Sequence, residues 1–131
     1  MSPHYPEDRL YHLDALWLQT LGDDEALLGV NHHAQQSLGA VMYVDLPRVG
    51  GNLRQGTPCG TIESSKAVSD LIAPASGKVL AINTALRTEP ALINRAPYAE
   101  GWLLRIRLDA PGDKSGLIRA GEYMKHLGLV D

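Results

Sequence analysis

The chain has 131 residues, a size that suits one domain with a buried core, and we expect residues 1–131 to form a single domain. Its formal net charge is −3 and its 12 lysines and arginines are scattered, which argues against a nucleic-acid-binding or membrane-surface protein. A single cysteine cannot form an internal disulfide, and neither a signal-peptide pattern nor a membrane-spanning apolar run is present, so the expected location is cytoplasmic.

The first half of the chain is predicted to contain short strands and one short helix. The apolar segments 16–21 and 26–30 flank polar residues, which predicts a β-hairpin. Asn31 can cap a helix of about two turns, and Gly39 can end that helix in the left-handed conformation. The segment AVMYVDLP then indicates a strand, and a stretch punctuated by glycines indicates loop and short extended pieces.

The second half is predicted to be strands again, followed by a terminal helix. Strand-like segments lie on both sides of a polar corner at Ser64 to Ala67, and the segments KVLAIN and GWLLRIRL are also typical of strands. Arg105 and Arg107 alternate with apolar residues and should lie on the solvent side of their strand. The segment TEPALIN favours one helical turn, and RAGEYMKHLG favours a short C-terminal helix that ends at Gly128. Many short strands with sharp turns indicate a small, mainly β fold.

A lysine, Lys66, stands at the polar corner between two strands. An exposed lysine is protonated and a poor nucleophile, and the S-x-x-K motif is absent because Glu63 lies three residues before Lys66. An acylating enzyme needs only an accessible amine between small neighbours, and Ser65 and Ala67 are small. From the residues alone, a modified lysine and an ordinary turn lysine both stay open.

Four motifs, in order and spacing, resemble the glycine cleavage system H protein family. They are E-S-x-K-A at residues 63–67, S-D at 69–70, P-x-S-G at 74–77 and P-Y-x-x-G-W at 97–102, and the similarity extends over about residues 17–108. This family consists of lipoyl carriers of the biotinyl and lipoyl domain superfamily. The resemblance implies a flattened barrel-sandwich hybrid of antiparallel sheets with lipoate in amide linkage to Lys66 at a hairpin tip. Biotin is the weaker option, because no methionine flanks the lysine.

The resemblance also implies a function and a set of partners. The chain would be a carrier and not an enzyme, shuttling a lipoate-bound intermediate and electrons between enzymes. A lipoate-attaching ligase or transferase would recognise Glu63, Ser65 and Ala67 beside the lysine, and dihydrolipoyl dehydrogenase would reoxidise the arm. His33 and Asp70 are implied to line a pocket for the arm. Solvated turn charges are the alternative interpretation of Glu63 and Asp70.

One departure from the family bears on the pathway. Leu16 stands where the family has the glutamate of H-E-W, and a leucine offers a cationic cargo no charge or hydrogen bond. Two pathways remain: glycine cleavage, with transfer of an aminomethyl group, and bacterial sulfur oxidation, served by an H-like lipoate-binding protein with a heterodisulfide-reductase-like complex. Leu16 favours sulfur oxidation. A third hypothesis is an unmodified interaction domain.

The remaining reactive residues give weaker signals. His32 and His33 are adjacent in the predicted helix and should point apart, and with His12 they form no recognisable ligand spacing, so no metal site is expected. Cys59 could be a redox partner of a dithiolane but is more typical of a small buried residue. The aromatic residues Trp17, Tyr98 and Trp102 should pack in the core or cover its edge.

Overall fold

The computed structural model describes residues 4–13, 16–110 and 115–129. Within them the strands are β1 (Leu10–His12), β2 (Leu16–Leu21), β3 (Glu25–Val30), β4 (Val41–Asp45), β5 (Asn52–Leu53), β6 (Pro58–Ser64), β7 (Val68–Ile72), β8 (Gly77–Ile82), β9 (Leu104–Leu108) and β10 (Leu117–Arg119). The helices are α1 (His32–Leu38), α2 (Leu92–Arg95) and α3 (Ala120–His126), with a 3₁₀ turn at Thr84–Arg87.

The strands form two antiparallel sheets. The larger sheet has the order β10-β1-β2-β3-β9-β8-β5, and the smaller sheet has the order β4-β6-β7. The hairpin of β2 and β3 forms as predicted, with Leu16 opposite Val30 and Leu21 opposite Glu25. The prediction of a mainly β, flattened barrel-sandwich of antiparallel sheets with short helices and a C-terminal helix is confirmed.

Strand β9 shows why the two sheets enclose a core. Leu104, Ile106 and Leu108 are buried on one face, whereas Arg105 and Arg107 are exposed on the other, as the alternation predicts. The buried face joins a large aliphatic core, which includes Leu18, Leu28, Ile62, Leu71, Val79, Ile93 and Leu103. With no phenylalanine in the chain, this core consists almost entirely of leucine, isoleucine, valine and alanine.

A second core contains most of the tyrosines. Tyr5, Tyr11, Trp17 and Tyr123 are buried together with Ala120, and we call this group the aromatic cluster. The rings of Tyr11 and Tyr123 stack with centroids 5.2 Å apart, which fastens helix α3 to strand β1. Burial raises the pKa of Tyr11 far above its ordinary value, so its hydroxyl stays protonated and donates to the carbonyl of Pro6.

The sequence patterns do not predict strands β1 and β10. These strands pair with each other, Leu10 opposite Arg119 and Tyr11 opposite Ile118, and β1 also pairs with β2. Each contains only three residues, which is too short for an alternating pattern to be recognised, and β10 finds its partner at the other end of the chain. Such pairing depends on tertiary contacts that no local signal carries.

Helix α1 begins and ends where the sequence predicts. The side chain of Asn31 accepts a hydrogen bond from the Ala34 N–H at 2.9 Å, and Gly39 has a positive φ of 78°. The Nδ2 of Asn31 also donates to the Tyr123 hydroxyl at 2.9 Å, which connects this helix start to α3. None of the helices among the described residues is long and apolar enough to cross a membrane.

Substitution of Gly29 by alanine is expected to destabilise the protein. Gly29 lies opposite Trp17 in the β2–β3 hairpin, and a Cβ at this position would overlap the indole ring. Overpacking of this kind costs about 1–3 kcal/mol. Urea denaturation would measure the free energy of unfolding.

Gly121→Ala is the matched control for that substitution. Gly121 lies in helix α3, and a Cβ there would meet open space. Alanine in place of a helical glycine stabilises by about 0.5–1 kcal/mol. Equal effects of the two substitutions would contradict the packing of Trp17 on Gly29.

Candidate functional site

The turn between β6 and β7 presents Lys66 to solvent. The buried hydroxyl of Ser64 accepts hydrogen bonds from the N–H groups of Lys66 at 3.1 Å and Ala67 at 3.2 Å. The Ser64 N–H donates in turn to the Ala67 carbonyl at 2.9 Å. A serine that accepts from residues two and three positions on closes a turn without help from packing. The backbone under Lys66 is therefore ordered although its side chain is exposed.

The loop between α1 and β4 supports this turn from one side. The Ser65 N–H donates to the Ala40 carbonyl at 3.1 Å. A Cβ placed on Gly39 would lie 3.3 Å from Cε of Lys66 and 3.5 Å from Oγ of Ser65. The absence of a side chain at Gly39 thus leaves room for the aliphatic stem of the lysine.

A cavity of about 370 Å³ opens beside the lysine. Its surface is mainly apolar, although six of its thirteen lining residues are polar or charged: Leu13, Val30, His33, Ala34, Ser37, Leu38, Ile62, Lys66, Ala67, Ser69, Asp70, Leu71 and Tyr123. Such a lining suits a largely apolar group that also carries polar atoms.

The structure brings four of the predicted site residues to this one cavity. His33 reaches it from helix α1, Asp70 from strand β7, and Lys66 and Ala67 from the turn. Glu63 lies in register with Tyr43 and Val68 on the exposed face of the smaller sheet, opposite to the face of Ile62, which lines the cavity. The predicted set thus divides into these four cavity residues and two residues outside the cavity lining, Glu63 and Ser65.

Leu16 does not line the cavity. Its side chain is 1% exposed and belongs to the aliphatic core, and its cross-strand partner Val30 is the residue that borders the cavity. The sequence comparison with H-E-W shows that a glutamate is replaced at this position, and the structure shows that the leucine in its place packs in the aliphatic core. Packing alone therefore accounts for the identity of residue 16.

Cys59 lies at the far end of strand β6 from the lysine turn. Five residues of extended strand separate it from Ser64, which corresponds to about 17 Å. Burial raises the pKa of the Cys59 thiol to about 11, so little thiolate forms at neutral pH. Both observations favour the predicted role of a packed, unreactive cysteine.

His32 and His33 point into different cavities, as predicted for neighbours on a helix. His32 stacks on His4, with ring centroids 3.8 Å apart, and lines a second cavity with Tyr98. Burial lowers the pKa of His32, and the charges of His4 and His33 lower it further. Among the described residues, no group of three or more histidine, cysteine, aspartate or glutamate side chains could hold a metal ion.

Sequence reasoning did not assign a role to Ser64 or to Asn94. The signal for Ser64 was available, because a serine two residues before a turn residue commonly accepts its N–H. Asn94 accepts the Val41 N–H at 2.8 Å and donates to the Gly39 carbonyl at 2.8 Å. These partners lie far from Asn94 in the sequence, so no local pattern could have identified the contact.

Comparison with known proteins gives one consistent result. A family model described as glycine cleavage H-protein matches residues 9–128. The chain is 46% identical over 123 residues to the glycine cleavage system H protein of Opitutus terrae, covering 94% of this chain and 97% of that protein. It is 46% identical over 122 residues to that of Rubrobacter xylanophilus, covering 93% and 94% respectively.

A solved structure agrees with the sequence comparisons. The crystal structure of a glycine cleavage system H protein from Mycobacterium marinum matches this fold with a TM-score of 0.86 at 40% identity. The match covers 95% of this chain and 99% of that one. The similarity therefore extends over nearly the whole chain.

His32→Gln is expected to make folding less sensitive to acid. Because the pKa of His32 in the folded protein lies below its ordinary value of 6.5, the unfolded chain takes up this proton more readily. The wild type therefore loses stability as the pH falls below about 6.5, and the variant lacks this contribution. Urea denaturation between about pH 8 and pH 5 would show a smaller loss for the variant, whereas identical losses would contradict the assignment.

Proposed function

Because the chain belongs to the glycine cleavage H-protein family, we propose that it is a lipoyl carrier of the glycine cleavage system with lipoate amide-linked to Lys66. The observation that carries this proposal is an exposed lysine on an ordered turn, next to an apolar cavity. An attaching enzyme can reach the amine, and the cavity lies within reach of what is attached. The chain itself is a carrier and not an enzyme.

The residues around Lys66 fit this group. Lipoate supplies a cyclic disulfide that accepts electrons and takes up a substrate group on sulfur. The aliphatic lining from Val30, Leu38, Ile62 and Leu71 offers a dry surface to its hydrocarbon part. Attachment to a lysine keeps the disulfide at high local concentration near any enzyme that binds the carrier.

His33 and Asp70 are proposed to hold the polar end of the cargo. Both line the cavity with Lys66, His33 from helix α1 and Asp70 from strand β7. A carboxylate pairs with a cationic amine through a charge-assisted hydrogen bond, so Asp70 suits an aminomethyl group derived from glycine. Glu63, Ser65 and Ala67 are exposed beside the lysine and are proposed as the contacts of the lipoate-attaching ligase or transferase.

The comparisons favour glycine cleavage over sulfur oxidation. The relatives at 46% identity bear the name of glycine cleavage system H proteins. The argument for sulfur oxidation depended on Leu16. That residue packs in the aliphatic core, and its cross-strand partner Val30, not Leu16 itself, lines the cavity. We therefore propose glycine decarboxylase, aminomethyltransferase and dihydrolipoyl dehydrogenase as partners. Nothing in the comparisons supports a heterodisulfide-reductase-like complex, and a cytoplasmic location stays a prediction.

Lys66→Arg is expected to abolish lipoylation. Arginine keeps the charge but has no primary amine to acylate. Intact mass after incubation with lipoate–protein ligase, lipoate and ATP should show one added lipoyl group on the wild type and none on the variant. Lys78→Arg, at an exposed lysine on strand β8, should be modified like the wild type. Lipoylation of the Lys66 variant would show that the site is elsewhere.

The lipoylated chain is expected to support glycine-dependent NADH formation with purified decarboxylase, aminomethyltransferase and dihydrolipoyl dehydrogenase. Asp70→Asn should lower this rate by about tenfold, since a hydrogen bond to a charged group contributes about 1.5–3 kcal/mol. Asp109→Asn, at an exposed carboxylate outside the cavity lining, should leave the rate unchanged. A lipoylated wild type that is inactive with these partners would contradict the glycine cleavage assignment.

A further inference from the structure

Asn94 of helix α2 connects three points of the chain through one side-chain amide. Its Oδ1 accepts the Val41 N–H at 2.8 Å. Its Nδ2 donates to the Gly39 carbonyl at 2.8 Å and to Oε1 of Gln35 at 3.1 Å. Two of these partners lie on either side of Ala40, so Asn94 holds the segment 39–41 at both ends. We call this segment the α1–β4 corner.

The side-chain amide of Asn94 satisfies both ends of the corner. The Gly39 carbonyl follows the last turn of α1 and needs a donor from outside the helix. The Val41 N–H at the start of β4 needs an acceptor, because Val41 is buried. An amide side chain supplies one acceptor and two donors, whereas a carboxylate supplies no donor. The chemistry of residue 94 therefore matches the corner and not merely its volume.

The corner in turn fixes the lysine turn. The Ala40 carbonyl accepts the Ser65 N–H, and Gly39 faces the stem of Lys66. Ser65 is the residue immediately before the lysine, so movement of Ala40 would displace the backbone that carries Lys66. Asn94 itself lines the second cavity, with His32 and Tyr98, and acts on the lysine only through the corner.

We propose that Asn94 is a positioning residue for Lys66, acting through Ala40 and Ser65. The proposal rests on the proposed function in one respect, namely that the positioned lysine is the lipoylation site. Loss of the Asn94 amide would free the corner, lengthen or break the bond between Ser65 and Ala40, and allow the lysine turn to move. The attaching enzyme would then meet a lysine turn held by the hydrogen bonds of Ser64 and no longer fixed to the α1–β4 corner.

Asn83 provides a matched control within the same chain. Its Nδ2 donates to the carbonyls of Glu100 and Trp102, both at 2.8 Å, and its Oδ1 accepts the Ala85 N–H at 3.2 Å. It therefore makes three hydrogen bonds, as Asn94 does, and none of them goes to the α1–β4 corner. Asn83→Ala and Asn94→Ala remove equal numbers of side-chain hydrogen bonds from different places.

The first test is amide hydrogen exchange of the unlipoylated protein, followed by NMR. In Asn94→Ala, the Ser65 amide should exchange about tenfold faster than in the wild type, after correction for the change in the amides of strand β9. In Asn83→Ala, the corrected rate of Ser65 should stay within about twofold of the wild type. If Ser65 in Asn94→Ala changes only as much as β9, Asn94 has a general structural role and the inference is wrong.

A second variant covers the case in which Asn94→Ala does not fold. Asn94→Asp keeps an acceptor for the Val41 N–H and loses the donor to Gly39. After the same correction for β9, its Ser65 amide should still exchange faster than that of the wild type, by a smaller factor than in the alanine variant. A corrected rate equal to that of the wild type would overturn the inference.

The second test is the kcat/KM for lipoylation by lipoate–protein ligase, compared between the two alanine variants. A loss of about fivefold or more in Asn94→Ala relative to Asn83→Ala is expected, and equal values would overturn the inference. A wild type that takes up no lipoate would instead contradict the proposed function. The exchange experiment would then still decide the role of Asn94, because it requires neither lipoate nor ligase.

Discussion

The lysine turn is exposed and is nevertheless held in place, and the contacts around it make both possible. Order in proteins usually comes from burial, which would be incompatible with the attachment proposed at Lys66. Here hydrogen bonds to the backbone replace burial. Ser64 closes the turn from within, and the Ala40 carbonyl holds it from outside. The side chain of Lys66 stays free while its backbone is held at several points.

The outer support of the turn leads back to the cores of the protein. Trp17 packs on Gly29, and its Nε1 donates to the carbonyls of Val30 and Pro97, both at 3.1 Å. Pro97 follows helix α2, whose Ile93 is fully buried in the aliphatic core. Asn94 is the next residue and reaches the α1–β4 corner. Contiguous contacts thus extend from the aromatic cluster to the lysine turn.

Local signals in the sequence predicted the parts of the fold that depend on local chemistry. Asn31 and Gly39 marked the ends of α1, and the polar corner marked the lysine turn, because caps and turns are set by neighbouring residues. Strands β1 and β10 and the contacts of Asn94 depend on residues distant in the sequence. Leu16 shows a different limit of sequence-based prediction. The sequence shows that a leucine replaces the glutamate of H-E-W, but only the structure shows that this leucine packs in the aliphatic core.

Because Leu16 belongs to the aliphatic core, the charge of the cavity depends on Asp70. Among the described residues that line the cavity, Asp70 is the only carboxylate. Under the proposed function, a single carboxylate would hold a cationic cargo less firmly than two carboxylates would, and weaker holding mainly speeds departure. A carrier must surrender its cargo to the next enzyme, so strong retention in the cavity would oppose its work. A core leucine at position 16 is therefore compatible with the proposed role in glycine cleavage.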